Sequence, residues 1–200
     1  MTAAMPEPQQ PVDHAFTPAV RAVQQRKQSA DIYRNMRMAD TIDAELAAFV
    51  AGVRSFYLAT SSADGQPYVQ HRGGPPGFLV VEDERTLAFA DFAGNRQFIS
   101  TGNLSENPKA FLFLMDYARR QRIKIWGRCA VSDDPALIRR LMPEGYRARP
   151  EQALRFHVTA WDANCPQHIP QMFHAADVAA ALAERDARIA ALEAQLAAAR

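Results

Sequence analysis

Cysteine is scarce in this sequence, since Cys129 and Cys165 are the only two among 200 residues, too few for a disulfide framework. Charge of one sign is lacking as well, because 23 Lys and Arg against 22 Asp and Glu leave a formal net charge of +1. That balance argues against general binding to nucleic acid or to an anionic membrane surface. Any anion site must therefore be local.

Long apolar runs and targeting segments are also missing. No uncharged apolar stretch approaches the roughly 20 residues that cross a bilayer, and no charged segment followed by an apolar one opens the chain. We therefore expect a cytoplasmic protein that does not span a membrane. Hydrophobic residues make up 48% of the chain and charged residues 22%, which is the composition of a folded domain.

Three parts are predicted along the chain. Residues 1–40 comprise an arm rich in Pro, Gln and Ala and a helix, residues 41–173 form the body of the protein, and residues 174–200 form an alanine-rich helix. An apolar stripe with alternating spacings of four and three residues in that last helix is typical of a coiled coil, although Arg185 interrupts it. Packing of the stripe on the protein's own body is an equally supported interpretation.

Local signals predict the secondary structure of the body. Apolar residues repeat with period two from Gly52 to about Ala160, which predicts strands, and Asp64-Gly65 marks a tight hairpin. The apolar run Ala110–Met115 predicts a strand covered on both faces. The predicted N-caps of the helices are Thr17, Asp40 with Thr41, Asn95, and Asp133 with Asp134. Six or seven mostly antiparallel strands with peripheral helices favour a small β-barrel, because closure removes exposed edges.

Two segments have the residues of an anion site. Phe92–Gln97 follows a strand and opens a predicted helix, where free N–H groups, the helix dipole and the Arg96 guanidinium suit phosphate. Arg72 ends another strand and precedes Gly73–Gly77, whose glycines allow close backbone approach. An ordinary N-cap and a rigid loop are the structural alternatives for these two segments.

Other candidate chemistry is weak. Cys165 and His168 have a spacing that metal ligands show, but a second recognisable pair is missing, so no metal site is predicted. No feature indicates a base beside Cys165 or a lowered pKa of its thiol. A Walker loop, a Gly-x-Gly-x-x-Gly turn after a strand and a His-Glu-x-x-His motif are also missing from the sequence.

Several segments follow one another in a recognisable order. They are Asp64–Tyr68, the strand of Arg72, Thr86–Asp91 leading into Gly94–Gln97, Glu106–Ala110, and Arg120-Gln121 before Gly127. This order resembles the pyridoxamine 5′-phosphate oxidase-like, FMN-binding split barrels, best over residues 46–131. The resemblance implies an antiparallel split β-barrel, in agreement with the strand pattern.

The resemblance further implies a homodimer that holds two FMN molecules in clefts between its subunits. The residues that it assigns to the cofactor are Arg72, Asn95, Arg96, Gln97, Gln121 and Trp161. Arg72 and Arg96 would contact the FMN phosphate, which carries close to two negative charges and suits guanidinium donors. Gln121 and Trp161 would lie by the flavin ring.

The chain departs from the family members that oxidise pyridoxamine phosphate. Those members have a lysine shortly after the matching arginine strand, where this chain has Gly73–Gly77. They also have an arginine-rich segment after the tryptophan, where this chain has Asn164–His168. One histidine replaces bidentate arginine donors poorly, so we do not expect vitamin B6 oxidase activity.

We therefore expect an FMN-dependent oxidoreductase that carries out two-electron chemistry on a small organic substrate, with a nicotinamide as a candidate electron donor. No catalytic residue is assigned, and the candidates for the substrate space are His71, Gln167 and His168, of which the histidines exchange protons near neutral pH. Two alternatives stay open. One is a flavin- or haem-binding module that senses redox state without turnover, and the other is a deazaflavin-dependent reductase of the same fold.

Overall fold

The computed structural model describes residues 10–164 and 166–199, and seven strands lie in this part of the chain. The strands are β1 (Ser55–Ser61), β2 (Pro67–Gly73), β3 (Val80–Asp83), β4 (Thr86–Phe92), β5 (Lys109–Asp116), β6 (Gln121–Ser132) and β7 (Pro150–Asn164). The helices are α1 (Pro18–Arg26), α2 (Ala30–Tyr33), α3 (Ala44–Gly52), α4 (Ile99–Glu106), α5 (Pro135–Leu141) and α6 (Ala175–Ala198), and a short 3-10 helix spans Pro11–His14.

One sheet contains all seven strands, in the order β2-β1-β5-β6-β7-β4-β3. The pairs β1–β2, β1–β5, β6–β7, β4–β7 and β3–β4 are antiparallel. The predicted class is confirmed: the fold is mainly β, an antiparallel split barrel with peripheral helices and a long C-terminal helix.

Two of the predicted helix starts agree with the structure and two do not. Thr17 caps α1 and Asp134 caps α5, each through its side-chain oxygen. For α3 the prediction was wrong: Asp43, whose Oδ1 accepts from the N–H of Leu46 at 2.8 Å, is the N-cap. Asp40 is not free for that role, because its carboxylate accepts from Arg85 at 2.7 Å.

The core lies on the inner face of the sheet and under α5. Leu87 and Phe89 of β4 point into the main cluster, while Ala88 and Ala90 of the same strand pack under α5. β4 is therefore the strand covered on both faces. On β5 only alternate residues are buried and Phe111 is half-buried, so the prediction for Ala110–Met115 was wrong, because only one face of β5 is packed into the main cluster.

A register shift divides β7. Trp126 pairs with Ala160, but Gly127 pairs with Val158, so Thr159 is an extra residue that changes which side chains point inward. Trp161 packs against the main core cluster, and Ala160, the residue that simple alternation predicts to be buried, is fully buried as well.

The chain forms two compact units. The first contains the described residues up to Met115 and those from Arg122 to the end of β7. The second contains Asp116–Gln121 and the described residues from Pro166 onward, including α6. The apolar stripe of α6 is 43% to 64% exposed, and its coiled coil stays a prediction. No helix in the described ranges is long and apolar enough to span a membrane.

Candidate functional site

A small cleft lies where the end of β2, the end of β4, the loop before α4 and the start of β7 meet. Its lining is Gln70, Arg72, Asp91, Phe92, Gly94, Asn95, Arg96, Phe98, Ser100, Thr101 and Glu151. We call it the arginine cleft. Its volume is about 40 Å³, which suits a small anion or a few water molecules. Three of the residues predicted to hold phosphate, Arg72, Asn95 and Arg96, thus come together.

Arg72 is the buried arginine of this cleft. Its Nη1 donates to Oδ1 of Asp91, and the two side chains are only 12% and 10% exposed. The second carboxylate oxygen of Asp91 accepts from Nε2 of Gln152 at 2.8 Å, and the same Nε2 donates to Oγ1 of Thr101 at 2.8 Å. These hydrogen bonds fix Asp91, and through it the guanidinium.

The Nε of Arg72 is buried and has no hydrogen-bond partner among the described residues. Leaving a buried donor unpaired costs about 1 to 3 kcal/mol. A buried group of this kind calls for an explanation, and an acceptor on a water molecule, an ion or a ligand supplies one. This N–H group is therefore the strongest sign of a binding site in the cleft.

The loop before α4 differs from the prediction. Helix α4 has Phe98 as its N-cap, whereas the sequence predicts Asn95. The side chain of Asn95 instead bonds Gln97 twice at 3.2 Å, accepting from its backbone N–H and donating to its Oε1. Because Asn95 closes this local turn, it does not cap the helix.

Arg96 is the exposed counterpart of Arg72. Its side chain is 66% exposed, its Nε lies 3.7 Å from Glu151, and its guanidinium lies 5.9 Å from the centre of the Phe98 ring. Glu151 has a closer partner in Arg149, at 3.2 Å. Two carboxylates thus offset the charges of two arginines in the cleft, so an anion would be held by directed N–H donors rather than by net charge.

Two predicted residues lie away from the cleft. The alternation of β2 places His71 on the face opposite Arg72, with its ring 5.8 Å from that of Tyr57. Trp161 donates from its indole Nε1 to the carbonyl of Thr41 at 2.8 Å. Within one chain, neither side chain is beside the cleft arginines.

The remaining predicted residues belong to the second unit. Gln121 is the first residue of β6, while Gln167 and His168 lie in an exposed turn, where His168 has a φ of 64°. Cys165 lies outside the described residues. The predicted roles of these residues stay predictions.

The sequence analysis missed the network around Arg72. Asp91 is the one charged residue in the apolar strand Thr86–Phe92, and a carboxylate in such a strand needs a cationic partner. That signal was present in the sequence. No signal in the sequence indicated the role of Gln152, because it lies 61 residues beyond Asp91, on a different strand.

Two further side chains, those of Arg122 and Cys129, have buried polar or ionisable groups. The Nε of Arg122 on β6 is buried and also lacks a partner among the residues that the structure describes. Burial, the largest cause, raises the pKa of Cys129 to about 12, so this thiol stays protonated and is not a nucleophile.

Comparison with known proteins supports both the fold and the family resemblance. The family model for pyridoxamine 5′-phosphate oxidase matches residues 42–165, whereas no curated protein matches the chain. Among solved structures, HupZ of Group A Streptococcus is 17% identical with a TM-score of 0.51, covering 66% of this chain and 99% of its own. A variant of HupZ is 16% identical with a TM-score of 0.51, covering 62% and 99%.

A Lactobacillus delbrueckii protein described as a candidate pyridoxamine 5′-phosphate oxidase is 19% identical with a TM-score of 0.48, covering 64% of this chain and 99% of its own. At these identities the structural similarity concerns the fold alone. The family model, however, spans more than half of the sequence, from just before α3 to the end of β7. The chain therefore belongs to the pyridoxamine 5′-phosphate oxidase family.

Proposed function

We propose that this protein is a cytoplasmic FMN-binding oxidoreductase that carries out two-electron chemistry on a small organic substrate. The observation that carries the proposal is the buried, unpartnered Nε of Arg72, in the same cleft as Arg96. A phosphate monoester needs several directed donors, and guanidinium groups supply them.

The arginine cleft fits the phosphate group of FMN. A volume of about 40 Å³ excludes the flavin ring but accepts a tetrahedral anion. The phosphate oxygens would accept from the guanidinium groups of Arg72 and Arg96, while Asp91 keeps Arg72 oriented. The ring would lie outside the cleft, where other residues must cover it.

We infer that residues of a second copy of the chain cover the flavin ring. Trp161 lies nine residues beyond Gln152 on β7, roughly 30 Å along the strand at the usual rise per residue. Gln152 contacts Asp91 beside Arg72. In the homodimer that the resemblance implies, a flavin whose phosphate occupies the arginine cleft would meet Trp161 of the other subunit rather than its own.

An exposed apolar surface on the outer face of the sheet supports the homodimer. This aromatic face consists of Tyr57, Val69, Phe111, Phe113 and Trp126. Tyr57 lies directly opposite Phe113, and the rings of Phe111 and Trp126 are 5.0 Å apart. Val69 is 57% exposed and Tyr57 41%. Clustered aromatic residues of this kind are typical of interfaces.

FMN, when bound, supplies the two-electron transfer. This chain's residues bind and orient it: Arg72 and Arg96 hold the phosphate, and Asp91 fixes the Arg72 guanidinium. His71, Gln167 and His168 are the candidates for contact with the substrate. The departures at Gly73–Gly77 and after Trp161 argue against pyridoxamine phosphate as that substrate.

The absorption spectrum of the purified protein tests the proposal. We expect flavin bands that bleach with NADH or NADPH under anaerobic conditions and return when an acceptor is added. Flavin that no nicotinamide or substrate reduces would favour the non-catalytic module. Absorption bands of haem or of a deazaflavin would show that the protein binds that cofactor and not FMN.

A further inference from the structure

A second and larger concavity lies at the other end of β4 from the arginine cleft. It has a volume of about 700 Å³ and is lined by Glu82, Asp83, Thr86, Pro108, Arg128, Cys129, Ala130, Arg140, Arg155 and His157. We call it the basic groove. Its volume is within the range of small-molecule sites, and neither the family resemblance nor the proposed function uses it.

Strand register builds the floor of the basic groove. His157 of β7 pairs with Thr86 of β4 on one side and with Arg128 of β6 on the other. Directly opposite residues of antiparallel strands share a face, so a hydroxyl, an imidazole and a guanidinium form a row about 10 Å long across three strands. In the neighbouring row, Arg155 lies opposite Ala130, whose small side chain leaves room.

The register shift in β7 is what creates this row. If the register of Trp126 with Ala160 continued without the shift, Arg128 would lie opposite Val158, whose side chain is in the core. Gly127 permits the shift, because a Cβ there would overlap the carbonyl oxygen of His157 and the ring of Phe156. Bulges that re-aim a side chain in this way are common beside functional sites.

Glu82 holds the remaining arginines in place. One carboxylate oxygen of Glu82 accepts from Nε of Arg155 at 2.7 Å, and the other accepts from Arg140. The Glu82 side chain is 7% exposed, whereas those of Arg140 and Arg155 are 56% and 53% exposed. The pair therefore presents its unused N–H donors to solvent in a fixed arrangement.

Charge in the basic groove favours an anion. Three guanidinium groups face two carboxylates, and the Asp83 carboxylate accepts from the backbone N–H of Arg85 at 2.8 Å. The side chain of Arg128 has no ion pair or hydrogen bond within the described ranges. It is the donor available to a ligand without breaking an existing contact.

The geometry points to a binding site for a phosphorylated small molecule in the basic groove. Arg128, Arg155 and Arg140 would donate to the phosphate oxygens, with Thr86 and His157 beside them. Guanidinium forks match phosphate oxygens in pairs. The space beyond one phosphate leaves room for the organic part of the ligand.

Titration with inorganic pyrophosphate, followed by NMR, tests this site. The ring C–H resonances of His157, assigned with the variant His157→Gln, report on the basic groove and not on the arginine cleft. We expect a saturable shift in the wild-type protein. Arg128→Ala should weaken pyrophosphate binding at least tenfold, because a charged hydrogen bond is lost.

The matched control is Arg96→Ala, which alters the arginine cleft and should leave the His157 titration unchanged. Arg128→Ala should in turn leave FMN binding unchanged, which separates this site from the proposed cofactor site. The absence of a saturable His157 shift, or a shift of equal affinity in Arg128→Ala, would overturn the proposal. Both variants alter exposed side chains, and a thermal melt confirms that each is folded.

Discussion

The arginine cleft and the basic groove combine guanidinium and carboxylate groups at the two ends of β4. In the cleft, Asp91 holds one arginine, Arg72, and the side chains are 12% and 10% exposed. In the groove, Glu82 holds Arg140 and Arg155, each more than half exposed. The carboxylate is thus buried in both places, whereas its arginine partner is buried in the cleft and more than half exposed in the groove.

Burial decides what each pair contributes. Removing one partner of a buried pair leaves an uncompensated charge and costs about 3 to 5 kcal/mol. Where the arginines are solvated, as in the groove, a pair contributes about 1 kcal/mol or less, because water screens it. We therefore expect the cleft to matter for both stability and binding, and the groove for binding alone.

The largest effect is expected for Asp91→Ala. It should lower the free energy of unfolding by about 3 to 5 kcal/mol, because the buried Arg72 loses its counter-charge; urea denaturation measures it. The double variant Arg72→Met with Asp91→Leu should lose less, since no charge stays buried. A loss below about 1 kcal/mol for Asp91→Ala would show that the cleft behaves like the groove.

Gly127→Ala tests the register shift that builds the basic groove. A loss of about 3 kcal/mol is expected, because the new Cβ meets a backbone carbonyl and a core ring that cannot move aside. Gly102→Ala in α4 is the control. Nothing lies within 4 Å of its Cβ position, so it should be neutral or stabilise slightly. Equal effects of the two substitutions would contradict the tight packing at Gly127.

Arg96→Ala separates binding from stability in the cleft. FMN affinity should fall by about 1.5 to 3 kcal/mol, roughly tenfold to a hundredfold, through loss of a charged hydrogen bond. Quenching of flavin fluorescence measures the affinity. The unfolding free energy should barely change, because the Arg96 side chain is 66% exposed. Unchanged flavin affinity would remove Arg96 from the site.

Glu82→Gln should have the smallest effect, about 1 kcal/mol or less at neutral pH. Desolvation raises the pKa of Glu82, but hydrogen bonds from Arg155 and Arg140 outweigh it and hold the pKa below its ordinary value. The stabilisation is therefore present above that ordinary value and is lost as the pH falls through the lowered pKa. Urea unfolding at a series of pH values should show wild type and variant converging in acid; a constant difference would argue against the ion pair.

Local signals in the sequence were sufficient for much of the fold. Thr17 caps α1, and Gly65 takes a φ of 90° in the predicted hairpin turn, because each depends on neighbours in the chain. The inward side chains of β6, such as Ile125, follow from simple alternation. Most of these contacts are local, although the N-caps of α3 and α4 were not predicted correctly.

The errors arose in two ways, where neighbouring residues compete for the same local hydrogen bond and where distant contacts decide the structure. Asn95 resembles an N-cap, and only the three-dimensional loop shows that Gln97 takes its hydrogen bonds. The inward position of Trp161 depends on an extra residue, Thr159, that only cross-strand pairing reveals. Of the site, the sequence predicted the arginines, but Asp91 lies 19 residues from Arg72, and the pairing of the two required the sheet.

The most direct test of the central claim compares FMN with riboflavin, which lacks the phosphate. Equilibrium titration of the flavin-free protein should give an affinity for FMN at least tenfold above that for riboflavin, because Arg72 and Arg96 each lose a charged hydrogen bond when the phosphate is missing. The variant Arg96→Ala should reduce this difference. Equal affinities for the two flavins would contradict a phosphate site in the arginine cleft.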